Sequence, residues 1–388
     1  MADTKEQSKE IDYSLENPDT LTRYKDAASV AHKVLAALEK EATEGKTVID
    51  ICKSGDAQLE DEITKVYKSN KKISKGLSMP TTISLDDVVT PLSPLESETA
   101  EAQTPLKNGQ LAKLLVGAHI DGFAAIAGST VVVGASDVIE GEAADLILAA
   151  HYINEAFLRL IIPPTVNTTG AEKAEGKPIT PGKLNNVLEK IADAYGVKLV
   201  ESTTSYQFER NEIEAKKRLL LAPGEGVKGE GIPEIGEVWG IEVAVTTGSG
   251  KVKTLPNRPT IHKKTANTFA LKRPSAKEVL SEVNKRFGTF PFSLRQLKDE
   301  RTAKIGVLEC VRGNIFRQYE VVGEKDGKPV ARLFNTVAVT KNGVSKLAAP
   351  TIDLSKYKSD KKIEDEEILK LLETPLSKAK KSKKKASS

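Results

Sequence analysis

Few side chains in this sequence have the type and setting to do chemistry. There are only four histidines (His32, His119, His151, His262) and two cysteines (Cys52, Cys310), which excludes a histidine-rich metal site and a dense disulfide framework. The cysteines have no zinc-type spacing and no neighbour that marks a nucleophile, so both are expected as buried core or tolerated surface thiols. In His119-Ile120-Asp121 an extended backbone puts imidazole and carboxylate on one side, where the acid would orient the ring; the alternative is a polar pair that stabilises a turn. Glu242 stands inside the apolar run WGIEVAV, where an ionised carboxylate needs partners. It reads as a residual catalytic ligand, a loop-edge carboxylate, or half of a buried pair with Lys or Arg. The glycine-rich GEGVKGEGIPEIG lacks the lysine-helix junction of a phosphate loop, and no GxGxxG leads into a helix, so this stretch is expected as a loop.

The elements that must position these residues follow from periodicity. Tyr24, Ala27, Ala28, Ala31, Val34, Leu35 and Leu38 recur at helical spacing, with His32 beside the stripe. A second helix is predicted over Val48 to Tyr67, with Gly55 as a point of interruption. Leu111 to Val116 and Phe123 to Val133 read as strands around AHIDG, and Glu142 to Leu160 as a helix stopped by Pro163 and Pro164. Thr180-Pro181 opens another helix that closes at Gly196. Further strands are expected at Val197 to Val200, Val238 to Val245, Pro259 to Lys263 and Val330 to Val339. From Pro274, Val279, Leu280, Val283 and Phe287 mark one helix, and Leu294, Leu297 and Ala303 support a second. The mixed order indicates an α+β protein with helix-covered sheets.

At 388 residues the chain builds a sizeable core as one large unit or two domains. Two cysteines fit a reducing compartment, the amino terminus has no signal-like apolar run, and no stretch approaches the ~18 apolar residues of a membrane helix. The expectation is an intracellular, soluble protein with no membrane partner. The net charge of +4 is local: residues 376–388 hold six lysines and no acid, leaving the rest at −2. Such a tail attracts phosphate without reading bases, or serves as a solubilising or nuclear-targeting terminus. Three other basic clusters stand out, Lys216-Lys217-Arg218, Lys263-Lys264 with Lys272-Arg273, and the helical set Lys277, Lys285, Arg286, Arg295, Lys298, Arg301 and Lys304; solvated surface is the plain alternative for each.

The segments PTTISLDDVV, SPLES, LVGAHIDGFAA, EVWGIEVAVTTGSG, SEVNKRFGTFPFSLRQL and FNTVAVTKNGV, ending in the Lys-rich tail, closely resemble the proliferation-associated protein 2G4 family, also called the ErbB3-binding protein family, which includes a fungal curved-DNA-binding protein. The resemblance runs from about residue 19 to the carboxyl terminus. It implies a pita-bread fold like that of the type 2 methionine aminopeptidases, two related α/β halves around a sheet, with disordered termini. It further implies a flexible arm over 1–19, a pita-bread domain over 20–350 with a helical insertion at 275–317, and a charged extension over 351–388.

A pita-bread aminopeptidase holds two divalent metals with two aspartates, a histidine and two glutamates. At the matching positions this chain has Leu115, Ile126, Tyr206, Glu242 and Phe334, and Pro91 where a substrate-positioning histidine is expected. One of five ligands remains, so the resemblance implies no catalytic residues, no metal, no cofactor and no peptidase activity. The implied function is nonenzymatic ribosome association and RNA binding in large-subunit biogenesis, export or translation regulation. The implied partners are the large ribosomal subunit and ribosomal RNA, and the implied location is nucleus, nucleolus and cytoplasm. Phosphate contacts are expected from the helical basic set and from Lys378, Lys380, Lys381, Lys383, Lys384 and Lys385. The competing readings are a structure-sensitive binder of curved DNA acting in transcription, and a scaffold that holds regulatory proteins through the insertion.

Overall fold

The structure, a computed structural model, describes residues 12–135, 138–168 and 178–378. Two helices, α1 (Pro18–Glu41) and α2 (Val48–Lys65), precede β1 (Lys75–Leu85), a one-turn α3 (Thr99–Ala102), β2 (Leu111–Ile120) and β3 (Phe123–Val132). Next come α4 (Glu142–Leu160), α5 (Pro181–Ala194), β4 (Lys198–Leu199), β5 (Thr203–Phe208), β6 (Arg218–Leu221), β7 (Val238–Thr246), β8 (Val252–Thr254) and β9 (Ile261–Lys264). The remainder is α6 (Pro274–Arg286), β10 (Phe292–Ser293), α7 (Glu300–Arg312), β11 (Phe316–Gln318), β12 (Val322–Glu324), β13 (Val330–Thr340), β14 (Gly343–Ala348) and α8 (Glu366–Glu373).

Nine strands form one sheet in the order β1-β2-β3-β13-β7-β5-β6, with β14 on β13 and β4 on β7, all antiparallel. Strand alternation divides its side chains between two cores. Ala112, Leu114, Val116, Ala118 and Ile120 turn toward the stripes of α1 and α2, while Leu115 and Ile126 turn to the opposite face. In the other half Trp239, Ile241, Val243 and Val245 pack against α4 and α5. Each half is thus a run of strands under two helices. The N-caps match the sequence signals: Asn17 accepts from Asp19 N, Thr47 closes a capping box with Asp50, and Thr180 accepts from Lys183 N ahead of Pro181.

Three expectations are revised. Gly55 does not interrupt α2, which runs through it. Leu294 and Leu297 do not belong to the second helix near residue 300; Leu294–Gln296 is a 3-10 turn held by Ser293 and Gln296, and α7 starts only where Asp299 caps Thr302 N at 2.6 Å. Nor does packing stop near Pro350. Ile363 and Ile368 are buried in the core beneath α4, and Val344 N donates to Leu376 O, so residues 351–378 return across the body. The insertion carries its own small core, Val279, Val283, Phe287, Phe292, Val307 and Phe316, and its sheet β10-β9-β11 reaches back to Ile261, upstream of residue 275.

Candidate functional site

Leu115, Ile126, Tyr206, Glu242 and Phe334 come from five strands and line one cavity of about 410 Å³, with Pro91 also in its wall. Strand register brings them together: Phe334 pairs with Glu242 on one side and Gly128 on the other, Leu115 also pairs with Gly128, and Tyr206 pairs with Gly240. Phe334 has room because its neighbour is glycine. A Cβ on Gly240 would lie 2.7 Å from the Phe334 ring and 2.6 Å from Phe208.

Glu242 is the one matching donor, and it is already engaged. Its Oε1 accepts from Arg332 Nε at 2.5 Å, with the side chains 19% and 8% exposed, so the pair reading of this carboxylate holds. Leucine, isoleucine and phenylalanine bring no donor atom, and a neutral phenol is a poor replacement for imidazole. Burial pushes the Tyr206 phenol up, with Glu214 adding to the effect. Among the described residues no three His, Cys, Asp or Glu side chains converge as a metal-holding group. The residues present do not fit a two-metal centre. At the rim Glu214 accepts from the Tyr319 hydroxyl at 2.9 Å and pairs with Arg317 and Lys263, closing a neutralised polar edge over an apolar floor.

The His119-Asp121 segment takes the turn form. Asp121 sits at φ 55° and accepts from Arg23 and from Arg210 Nη2 at 2.9 Å, not from His119. His119 Nδ1 accepts from Gly122 N at 3.3 Å, and its ring stacks on Phe290 at 4.4 Å, where burial pushes the imidazole down to about 4. Cys52 and Cys310 are both buried, and burial pushes both thiols up to about 11. The glycine-rich stretch is a loop between β6 and β7, pinned where Arg218 and Glu230 exchange backbone hydrogen bonds.

The cationic candidates do not stay together. Arg295 is not a nucleic-acid contact: its side chain is 4% exposed, paired with Asp56 at 2.8 Å, and donates to Ser93 Oγ and to the carbonyls of Cys52 and Thr81. Four partners hold it as a bolt between the insertion and α2–β1. Arg286 is half-committed to Glu282 and Glu60, and Lys304 to Ser97 and Glu300. Lys277, Lys285, Lys298 and Arg301 are exposed. Lys216 and Lys217 are paired with Glu230, Glu234 and Glu237, and Lys263 is buried against Glu212 and Glu214. Lys378 is exposed, its backbone N bonded to Asn342 O; Lys380, Lys381, Lys383, Lys384 and Lys385 lie outside the described residues.

Three further cations belong with the free set. Lys68, Lys71 and Lys72 are exposed on the α2–β1 loop, and the end of α6 lies beside that strand, since a Cβ on Gly76 would be 3.9 Å from Arg286 O. The signal was present in the sequence as an acid-free run, ITKVYKSNKKISKG, with five lysines.

No family model matches the chain. It is 39% identical over 387 residues to the curved DNA-binding protein of Schizosaccharomyces pombe, covering 98% of this chain and 97% of that one. It is 32% identical over 378 residues to proliferation-associated protein A of Dictyostelium discoideum, covering 96% and 93%. A solved structure of a thermophilic Arx1 superposes with a TM-score of 0.90 at 52% identity, over 93% of this chain and 99% of that one. The methionine aminopeptidase of Thermotoga maritima superposes with a TM-score of 0.53 at 16% identity, over 86% and 97%. The fold is the α+β pita-bread fold.

Proposed function

The chain belongs to the family of proliferation-associated and ErbB3-binding proteins, relatives of the methionine aminopeptidases, and from that membership we propose a nonenzymatic role: ribosome association and RNA binding in large-subunit biogenesis, export or translation regulation. The observation that carries the nonenzymatic part is the cavity floor. Three hydrocarbon side chains stand at ligand positions, and the remaining carboxylate is neutralised by Arg332. Charge available to a phosphate framework lies away from the cavity, on Lys68, Lys71, Lys72, Lys277, Lys285 and Lys298, and on the tail from Lys378 onward. Cations so placed can read a phosphate framework by position, with the folded part supplying orientation. The tail also serves nuclear entry in this reading, which places the protein in nucleus, nucleolus and cytoplasm.

The test is binding of purified protein to purified large ribosomal subunits across a salt series, with crosslinks mapped on both partners. Neutralising the tail should weaken subunit and free-RNA binding together and lower the logarithmic salt slope by at most about one unit per lost phosphate contact. Neutralising Lys277, Lys285 and Lys298 should shift the footprint. Wild-type protein that leaves subunits unbound at low salt ends the ribosomal reading. Metal-dependent removal of an initiator methionine that disappears in Glu242→Ala ends the nonenzymatic one. A second reading has one support, the name of the curved DNA-binding relative. It requires bent duplexes to compete with ribosomes and straight duplexes not to.

A further inference from the structure

Helix α7 has two unlike faces. Ala303, Gly306, Val307 and Cys310 pack inward against α6, so closely that a Cβ on Gly306 would be 2.5 Å from Ser275 O. On the opposite face Arg301, Ile305, Leu308 and Arg312 follow at helical spacing in one stripe of about three turns. Ile305 is 43% and Leu308 48% exposed, and Phe269, 52% exposed, rests against Gly313 just past the end of the helix. Ile305 and Leu308 are two of the nine large hydrophobic side chains exposed among the described residues and are neighbours on one helix face, whereas Phe269 lies with Leu271 and Leu280 on the α6 flank.

The charges around the stripe are one-sided. Glu300 accepts from the backbone of Glu96 and Ser97, Glu309 from that of Lys272 and Arg273, and Asp299, exposed next to Arg301, from Thr302 N, so each of these acids is already engaged by backbone donors. Arg301 and Arg312 are exposed at the two ends, and neither forms a salt bridge among the described residues. A phosphate backbone would satisfy these arginines and leave Ile305 and Leu308 wet, whereas an apolar segment without acids would leave the arginines unanswered. We infer that the outer face of α7 docks an acidic amphipathic segment of a partner protein, whose apolar side chains cover Ile305 and Leu308 while its carboxylates meet Arg301 and Arg312. This surface is independent of the ribosomal reading and stands or falls separately.

The probe is a fluorescent synthetic peptide of about four helical turns, with leucines at helical spacing and glutamates along both edges, titrated against the full chain. Controls are the same peptide with lysine for glutamate, a single-stranded RNA of similar length, and phosphatidylserine vesicles. The acidic peptide should bind. Leu308→Asp should weaken it roughly tenfold or more, and Arg301→Gln with Arg312→Gln roughly threefold to tenfold with a flatter salt response. All three positions are solvent-facing, so the folded state should persist; Leu308→Asn serves if the aspartate variant unfolds. Equal binding of the lysine peptide, unchanged binding in Leu308→Asp, competition by RNA or vesicles for the same face, or loss of self-association as the sole effect of Leu308→Asp would each overturn the proposal.

Discussion

Replacing Arg332 tests whether an ion pair holds the floor of the cavity lined by Leu115, Ile126, Tyr206, Glu242 and Phe334. Arg332→Met preserves much of the side-chain volume and strands the Glu242 carboxylate, 19% exposed, on a floor whose other members are Leu115, Ile126 and Phe334. Breaking one half of a buried pair costs about 3–5 kcal/mol, and the small residual exposure of Glu242 favours the lower end, about 3 kcal/mol. Glu242→Gln alone leaves a buried guanidinium with a weaker neutral acceptor and should cost about 2 kcal/mol. The double variant removes both charges and should lie within about 2 kcal/mol of wild type, a coupling of about 3 kcal/mol. Urea unfolding at pH 7 reads this directly, because Trp239 is the only tryptophan and lies fully buried on the same strand as Glu242. The denaturant slope must stay constant for the comparison to hold. Cobalt or manganese should not raise the midpoint of Arg332→Met, since a freed Glu242 is still a single donor. Additive single effects, with coupling below about 0.5 kcal/mol, would refute the pair as the element that holds the cavity floor.

Arg295→Ala should cost about 3–5 kcal/mol by stranding Asp56 and leaving backbone carbonyls unpaired, while RNA affinity per folded molecule is unchanged; calorimetry with filter binding separates the two. Burial pushes both His119 and His262 down to about 4, so the unfolded chain takes up protons near pH 6.5 that the native state refuses. Stability should therefore fall as pH drops from about 6.5 to about 4 and level below that, by on the order of 3 kcal/mol per imidazole, and His119→Gln with His262→Gln should flatten that limb of the urea-midpoint profile. Gly240→Ala should displace the Phe208 and Phe334 rings at a cost of about 1–3 kcal/mol, visible as a lowered thermal midpoint.

What could be read from the sequence was what local periodicity encodes. The limits of α4 follow from its own stripe and the prolines after it, and β7 and β13 from alternating apolar runs. The cavity was not readable that way, because Leu115, Ile126 and Phe334 look like any core strand residues; only the family resemblance marked their positions. Arg295 misled because its partners are distant in sequence, Ser93 lying 202 residues away, and a basic residue beside a helix start reads as surface until the fold closes over it. Lys68, Lys71 and Lys72 erred the other way. Their acid-free run was visible, but its nearness to α6 exists only after β1 has paired with β2 and the insertion has docked.

The arrangement of charge then constrains where function sits. Around the cavity Arg332 contacts Glu242 and Arg317 contacts Glu214, and buried cations farther out are likewise engaged, Lys263 with Glu212 and Glu214 and Arg295 with Asp56. Such pairs fix geometry and offer little to a polyanion, because a phosphate would have to displace a carboxylate already in contact. Outside it the balance reverses, with free lysines on the α2–β1 loop and α6 and free arginines beside exposed Ile305 and Leu308 on α7. With no group of metal donors among the described residues at the centre of its sheet, the chain presents its uncompensated chemistry at the insertion and its flank. Those surfaces, more than the cavity, are where substitutions should change partners without changing stability.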